Sequence, residues 1–87
     1  MTLNLDNLTF IIVTFKSGHV IHECINSLPD NSKIIVIENS LDKKFKKELE
    51  EKYPSIKIII QENIGMGAAN NKGIKICETD YAFVINP

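Results

Sequence analysis

Four short runs of β-branched and aromatic residues, Thr9–Phe15, Lys33–Glu38, Ile56–Gln61 and Tyr81–Ile85, are separated by stretches with helical spacing. Each run is too short for a helix, and the first is apolar on both faces, as a central parallel strand must be. Between the first two, Val20, Ile21, Cys24, Ile25 and Leu28 recur at three- and four-residue intervals, with Ser17 placed to cap and Pro29 to stop a helix. Phe45 and Leu49, set among lysines and glutamates, predict a short, highly charged second helix ending before Pro54. A Gly-rich turn at residues 62–67 leads into a third helix through Ile74, Ile76 and Cys77, whose small residues Gly67, Ala68, Ala69 and Gly73 suit close packing on a sheet.

Strict alternation of strand and helix means parallel strands joined by right-handed crossovers, with helices on both faces: a three-layer α/β/α, Rossmann-like sheet of four strands. Eighty-seven residues allow one small domain, residues 1–87, with an expected stability of only a few kcal/mol. Exposed sheet edges left by so short a chain are expected to support a homodimer.

In an open α/β sheet the ligand lies beyond the carboxyl ends of the strands. Those ends carry Thr14-Phe15-Lys16, Glu38-Asn39-Ser40, Glu62-Asn63-Ile64-Gly65 and Asn86-Pro87. The Gly65-Met66-Gly67 segment opens like a dinucleotide fingerprint, but Asn70 stands where the third glycine belongs, and the segment follows strand three rather than strand one. It also lacks the Gly-Lys-Ser/Thr ending of a P-loop.

Composition excludes several other classes. A net charge of -1 offers no clustered cationic excess for nucleic acid or an anionic bilayer. No apolar run approaches the ~20 residues that cross a membrane, and the N-terminus lacks a signal-peptide pattern. A cytoplasmic protein is expected, peripheral to a membrane at most. Cys24 and Cys77 lack the spacing of a zinc or redox motif and read as buried free thiols. His19 and His22 lie three apart with no third ligand and read as exposed structural histidines, and Asp80 as a turn residue.

The string from Asn63 to Ile74 resembles the N-x-G-x-x-x-A-x-N-x-G-I stretch of family 2 glycosyltransferases of the GT-A fold. Ile12-Val13-Thr14-Phe15 is similar to the end of that family's first strand, Val36-Ile37-Glu38-Asn39-Ser40 to its V-D-N-x-S segment, and Ile85-Asn86-Pro87 to the start of an N-P-D metal motif. The four matches fall in the family's order, and the last looks like the rhamnosyltransferase-like branch.

The resemblance implies a nucleotide-sugar donor, UDP- or dTDP-linked, and an inverting transfer of a hexosyl group to an acceptor in polysaccharide or cell-surface glycan synthesis. Thr14, Phe15 and Lys16 would line the nucleotide pocket, Glu38 would hold the base, and Asn39, Ser40, Asn63, Gly65, Gly67 and Asn86 would border the donor. Asn70 stands where relatives often carry Arg, so a phosphate contact there becomes a single neutral hydrogen bond. The full-length family is expected to use Mg or Mn through carboxylates, and this chain offers no complete metal site and no general base. A truncated, inactive N-terminal part of such an enzyme is the expectation. The rival readings are a non-catalytic α/β module that binds a nucleotide or self-associates, and, less well matched, a dehydrogenase.

Overall fold

The computed structural model describes residues 5–16, 18–62 and 65–86, apart from the side chains of Leu5 and His19. A short 3-10 turn at Leu5–Asn7 precedes β1 (Leu8–Thr14), α1 (Gly18–Asn26), β2 (Lys33–Glu38), α2 (Lys43–Lys52), β3 (Lys57–Ile60), α3 (Met66–Ile76) and β4 (Tyr81–Ile85). The strands form one parallel sheet in the order β3-β2-β1-β4. The chain steps outward from β1 through β2 to β3, then returns through α3 to the far side of β1. That reversal puts a topological switch point between β1 and β4, where such sheets open a ligand crevice.

The pleat sorts the core into two layers. Phe10, Ile12, Val36 and Ile58 point to the face covered by α1 and α2, where they bury Ile21, Ile25 and Leu49. Ile11, Val13, Ile35 and Ile37 point the other way, onto Ala69 of α3. Every residue of β1 is buried, which requires cover on both faces and explains why its sequence shows no polar alternation. β4 is different: as an edge strand it leaves Tyr81, Ala82 and Phe83 exposed, and Phe83 meets the core residue Phe10 in an edge-on ring contact at 6.1 Å.

The helices are set by local chemistry. Asp42 caps α2, its Oδ1 accepting from the Phe45 N–H at 2.9 Å. Leu49 anchors the otherwise solvated helix in the core. Ser17, expected to cap α1, lies outside the described residues. The first strand ends at Thr14 rather than Phe15, because the chain turns there and Lys16 takes a left-handed φ of 53°.

Several sequence expectations need correction. Of the four small residues assigned to close packing, only Ala69 and Gly73 pack on the sheet; Gly67 and Ala68 are exposed, since they fall on the outer side of the first turn of α3. His22 is half-buried rather than exposed, because its Nδ1 bonds the Tyr53 hydroxyl at 2.9 Å and the two rings lie 5.8 Å apart, tying α1 to the end of α2. The side chain of His19 lies outside the described residues. Cys24 and Cys77 are free but only partly buried, since both sit at the margins of the core. Burial pushes the Cys24 thiol above its ordinary pKa. Asp80 is an exposed bend residue before β4, as expected.

Gly73 and Gly67 give a paired test. A Cβ on Gly73 would lie 2.5 Å from Cγ2 of Ile11, a stiff β-branched side chain in the fully buried strand, whereas a Cβ on Gly67 meets nothing within 4 Å. In urea melts G73A should lose roughly 1–3 kcal/mol from overpacking, while G67A should be neutral or gain about 0.5 kcal/mol from helix propensity. Equal effects of the two substitutions would contradict this packing.

Candidate functional site

The carboxyl ends of the strands gather polar side chains that the rest of the sheet excludes. Parallel register pairs Thr14 with Glu38, so both side chains leave the sheet on the face of α1 and α2. Both are 1% exposed. Thr14 Oγ1 donates to Glu38 Oε2. Glu38 Oε1 accepts from the Lys16 N–H and from Ser40 Oγ, each at 3.0 Å. A carboxylate can be buried at tolerable cost only when donors replace its water shell, and here three do so. These bonds draw the loop after β1 and the loop after β2 onto one anchor.

One residue further, the pleat turns Asn39 to the opposite face. Its N–H donates to the Thr14 carbonyl at 2.8 Å, extending the β1–β2 ladder past the strand end. Its side chain accepts from Gln61 Nε2 at 2.8 Å and reaches the Gly65 carbonyl at 3.4 Å. The loops after β2 and β3 are thereby joined to the start of α3. Gly65 holds φ at 87°, a conformation that favours glycine, and stands at the N-cap of α3. Among the described residues, Gln61 Oε1 and Asn70 Oδ1 are buried acceptors with no donor.

Of the sequence-predicted residues, then, Thr14, Glu38, Ser40 and the Lys16 backbone form one cluster, and Asn39 and Gly65 belong to a second on the other face. Phe15 and Lys16 stand exposed at the rim, with Lys16 Nζ 5.4 Å from the centre of the Phe15 ring. Gly67 is exposed on the first turn of α3 with open space around it, and Asn70 is half-buried one turn on. Asn86 is exposed after β4, directly beyond Ile85, the partner of Ile12. Asn63 lies outside the described residues. Sequence reasoning passed over Gln61 as the last residue of a strand; its one available signal was an amide ending an otherwise apolar run.

Two grooves open elsewhere. One, of about 580 Å³, is lined by Thr9, Lys33, Lys57 and Thr79 at the amino ends of the strands. The other, of about 370 Å³, lies between the loops at Asn31 and Pro54. Neither borders Thr14, Glu38 or the start of α3. The convergent polar groups, the left-handed turn and the crevice position all belong to the carboxyl rim, which is the more chemically equipped place for a ligand.

The family model described as glycosyl transferase family 2 matches residues 9–87. The chain belongs to that family. No curated protein matches the chain. The parallel sheet with its three helices is consistent with the Rossmann-like GT-A architecture of family 2 glycosyltransferases. Family 2 enzymes typically use a divalent cation, and the residues described here do not fit one. Asn86 offers a single neutral oxygen, hard cations favour carboxylates, and the described residues contain no group of three His, Cys, Asp or Glu able to hold a metal. No described helix is long and apolar enough to cross a membrane.

Proposed function

We propose that the carboxyl rim of this family 2 domain binds the nucleotide of a sugar donor, UDP- or dTDP-linked. The observation that carries this reading is the convergence of the loops after β1 and β2 on the buried Glu38 carboxylate, beside an exposed aromatic ring and an exposed lysine. An aromatic face suits a nucleobase, and an ammonium suits a diphosphate. Asn39, Ser40, Asn63, Gly65, Gly67, Asn70 and Asn86 would border the remainder of the donor, with Asn70 making one neutral hydrogen bond to a phosphate in place of a bidentate arginine.

The reaction of the complete site is an inverting transfer, in which an acceptor hydroxyl attacks the anomeric carbon and the nucleoside diphosphate leaves. Such a step needs a base within reach of the attacking oxygen and stabilisation of charge on the leaving group. The described residues do not fit the cation, and the part proposed for them is to hold the donor nucleotide. The I-N-P segment supports a hexosyl, rhamnosyltransferase-like donor, and the expected setting is cytoplasmic synthesis of a polysaccharide or cell-surface glycan, peripheral to the membrane. Calorimetric titration with UDP, dTDP and NAD tests the assignment: either pyrimidine nucleotide should bind and NAD should not. Absence of binding by both pyrimidine nucleotides, or preference for NAD, would overturn it.

A second reading, self-association, is favoured by β4. Among the described residues it stands at one end of the sheet, and Phe83 is 57% exposed. An edge of this kind pairs readily with another. Sedimentation should reveal a homodimer at concentrations where F83K is monomeric, and a monomeric native chain at high concentration would dismiss this reading.

A further inference from the structure

The net charge of -1 conceals a separation of charge along α2. The first turn and a half of this helix carries Lys43, Lys44, Lys46 and Lys47; Glu48, Glu50 and Glu51 follow, and Lys52 closes the helix. A helix macrodipole favours the reverse order, acids at the amino end and bases at the carboxyl end. The pairs at i,i+4 spacing, Lys44 with Glu48, Lys46 with Glu50 and Lys47 with Glu51, also run in the less favourable direction. Helix stability therefore does not account for lysines in these places.

Connectivity decides where they stand. α2 follows β2, so its amino end lies at the carboxyl rim. A Cβ on Gly18 would lie 3.6 Å from the Phe45 ring, which makes the first turns of α1 and α2 neighbours. Lys16, exposed in the loop that enters α1, adds to the same edge. Among the described residues, the exposed acids there are Asp42, which is engaged in capping α2, and Glu62. Two aliphatic side chains accompany this positive edge: Leu41, 59% exposed in the loop after β2, and Met66, 46% exposed at the start of α3. Neither lines the two grooves described above.

We propose that this edge docks on an anionic lipid bilayer, with Lys43, Lys44 and Lys47 over the headgroups and Leu41 entering the interface. Each lysine near an anionic leaflet strengthens binding about fivefold, and an apolar side chain beside it adds burial among the lipids. A nucleic acid matches the edge less well, because Leu41 and Met66 offer no π face to a base. A protein partner matches it less well too, since side chains projecting from separate loops form no continuous apolar patch. The proposal goes beyond the donor-nucleotide reading and stands independently of it.

Co-sedimentation of the 87-residue chain with vesicles tests the docking edge. Phosphatidylcholine vesicles containing about a third phosphatidylglycerol should bind it at least about tenfold more tightly than phosphatidylcholine alone, and raising salt from about 0.05 M to about 0.5 M should release it. On the anionic vesicles K43Q/K44Q/K47Q should lose about tenfold or more, and L41S about threefold or more. K52Q/K57Q/K75Q removes the same charge from the opposite edge and should stay within about threefold of native. Equal losses in the two triple variants, or no preference for anionic vesicles, overturn the proposal. Thermal melts separate docking from a structural role: K43Q/K44Q/K47Q should melt at or above the native temperature, because it relieves the conflict with the macrodipole. A clearly lower melting temperature would mean that the lysines serve the fold, and also counts against docking. The vesicles carry no nucleotide, so failure here leaves the donor reading to its own titration.

Discussion

The pairing of Thr14 with Glu38 across β1 and β2 is the contact on which the rim depends. In a parallel sheet, residues in register put their side chains on the same face, so a hydroxyl and a carboxylate at the ends of neighbouring strands must meet. Burial then leaves them little choice of partner. An unpaired carboxylate in this position would cost several kcal/mol, and the donors that prevent this come from the two loops that must be shaped. A requirement of folding stability therefore also fixes the geometry of the carboxyl rim.

The same pleat that brings Thr14 and Glu38 together separates Glu38 from its neighbour. Asn39 turns to the face of α3, where Gln61 and the Gly65 carbonyl receive it. Two adjacent residues thus organise two layers, one fastening the loop after β1 and the other fastening the approach to α3. Close approach of α3 to the sheet depends on Gly73, which leaves room for Ile11. The N-terminal turn of that helix, by contrast, is free of packing constraints at Gly67 and faces open space. In this member of glycosyl transferase family 2 a firmly held rim thus lies beside an open helix start, the place proposed above for the donor nucleotide.

Much of this architecture was legible in the residues. β2 and β4 fall where Lys33–Glu38 and Tyr81–Ile85 place them, because β-branched runs bounded by turn formers have few alternatives. The two-faced apolar character of Thr9–Phe15 identified a central strand, which the structure sets one residue earlier, at Leu8–Thr14; nothing local announces that Lys16 will take a left-handed turn. Packing roles were harder to read. Gly67 and Gly73 look alike in sequence, and only helix phase against the sheet distinguishes the exposed one from the one in contact with Ile11. His22 likewise needed a partner 31 residues away, Tyr53, to become half-buried. At the site, the polar strand ends were visible, but not which oxygens are already engaged, because that follows from register and pleat. Gln61 escaped notice for the same reason.

Mapping backbone amide resonances during addition of UDP tests the central claim most directly. If the carboxyl rim is the donor site, shifts will concentrate at residues 14–16, 38–40 and 65–70, with little change at Thr9, Lys33, Lys57 and Thr79 around the groove at the opposite edge of the sheet. Shifts confined to that groove, with the rim silent, would contradict the account.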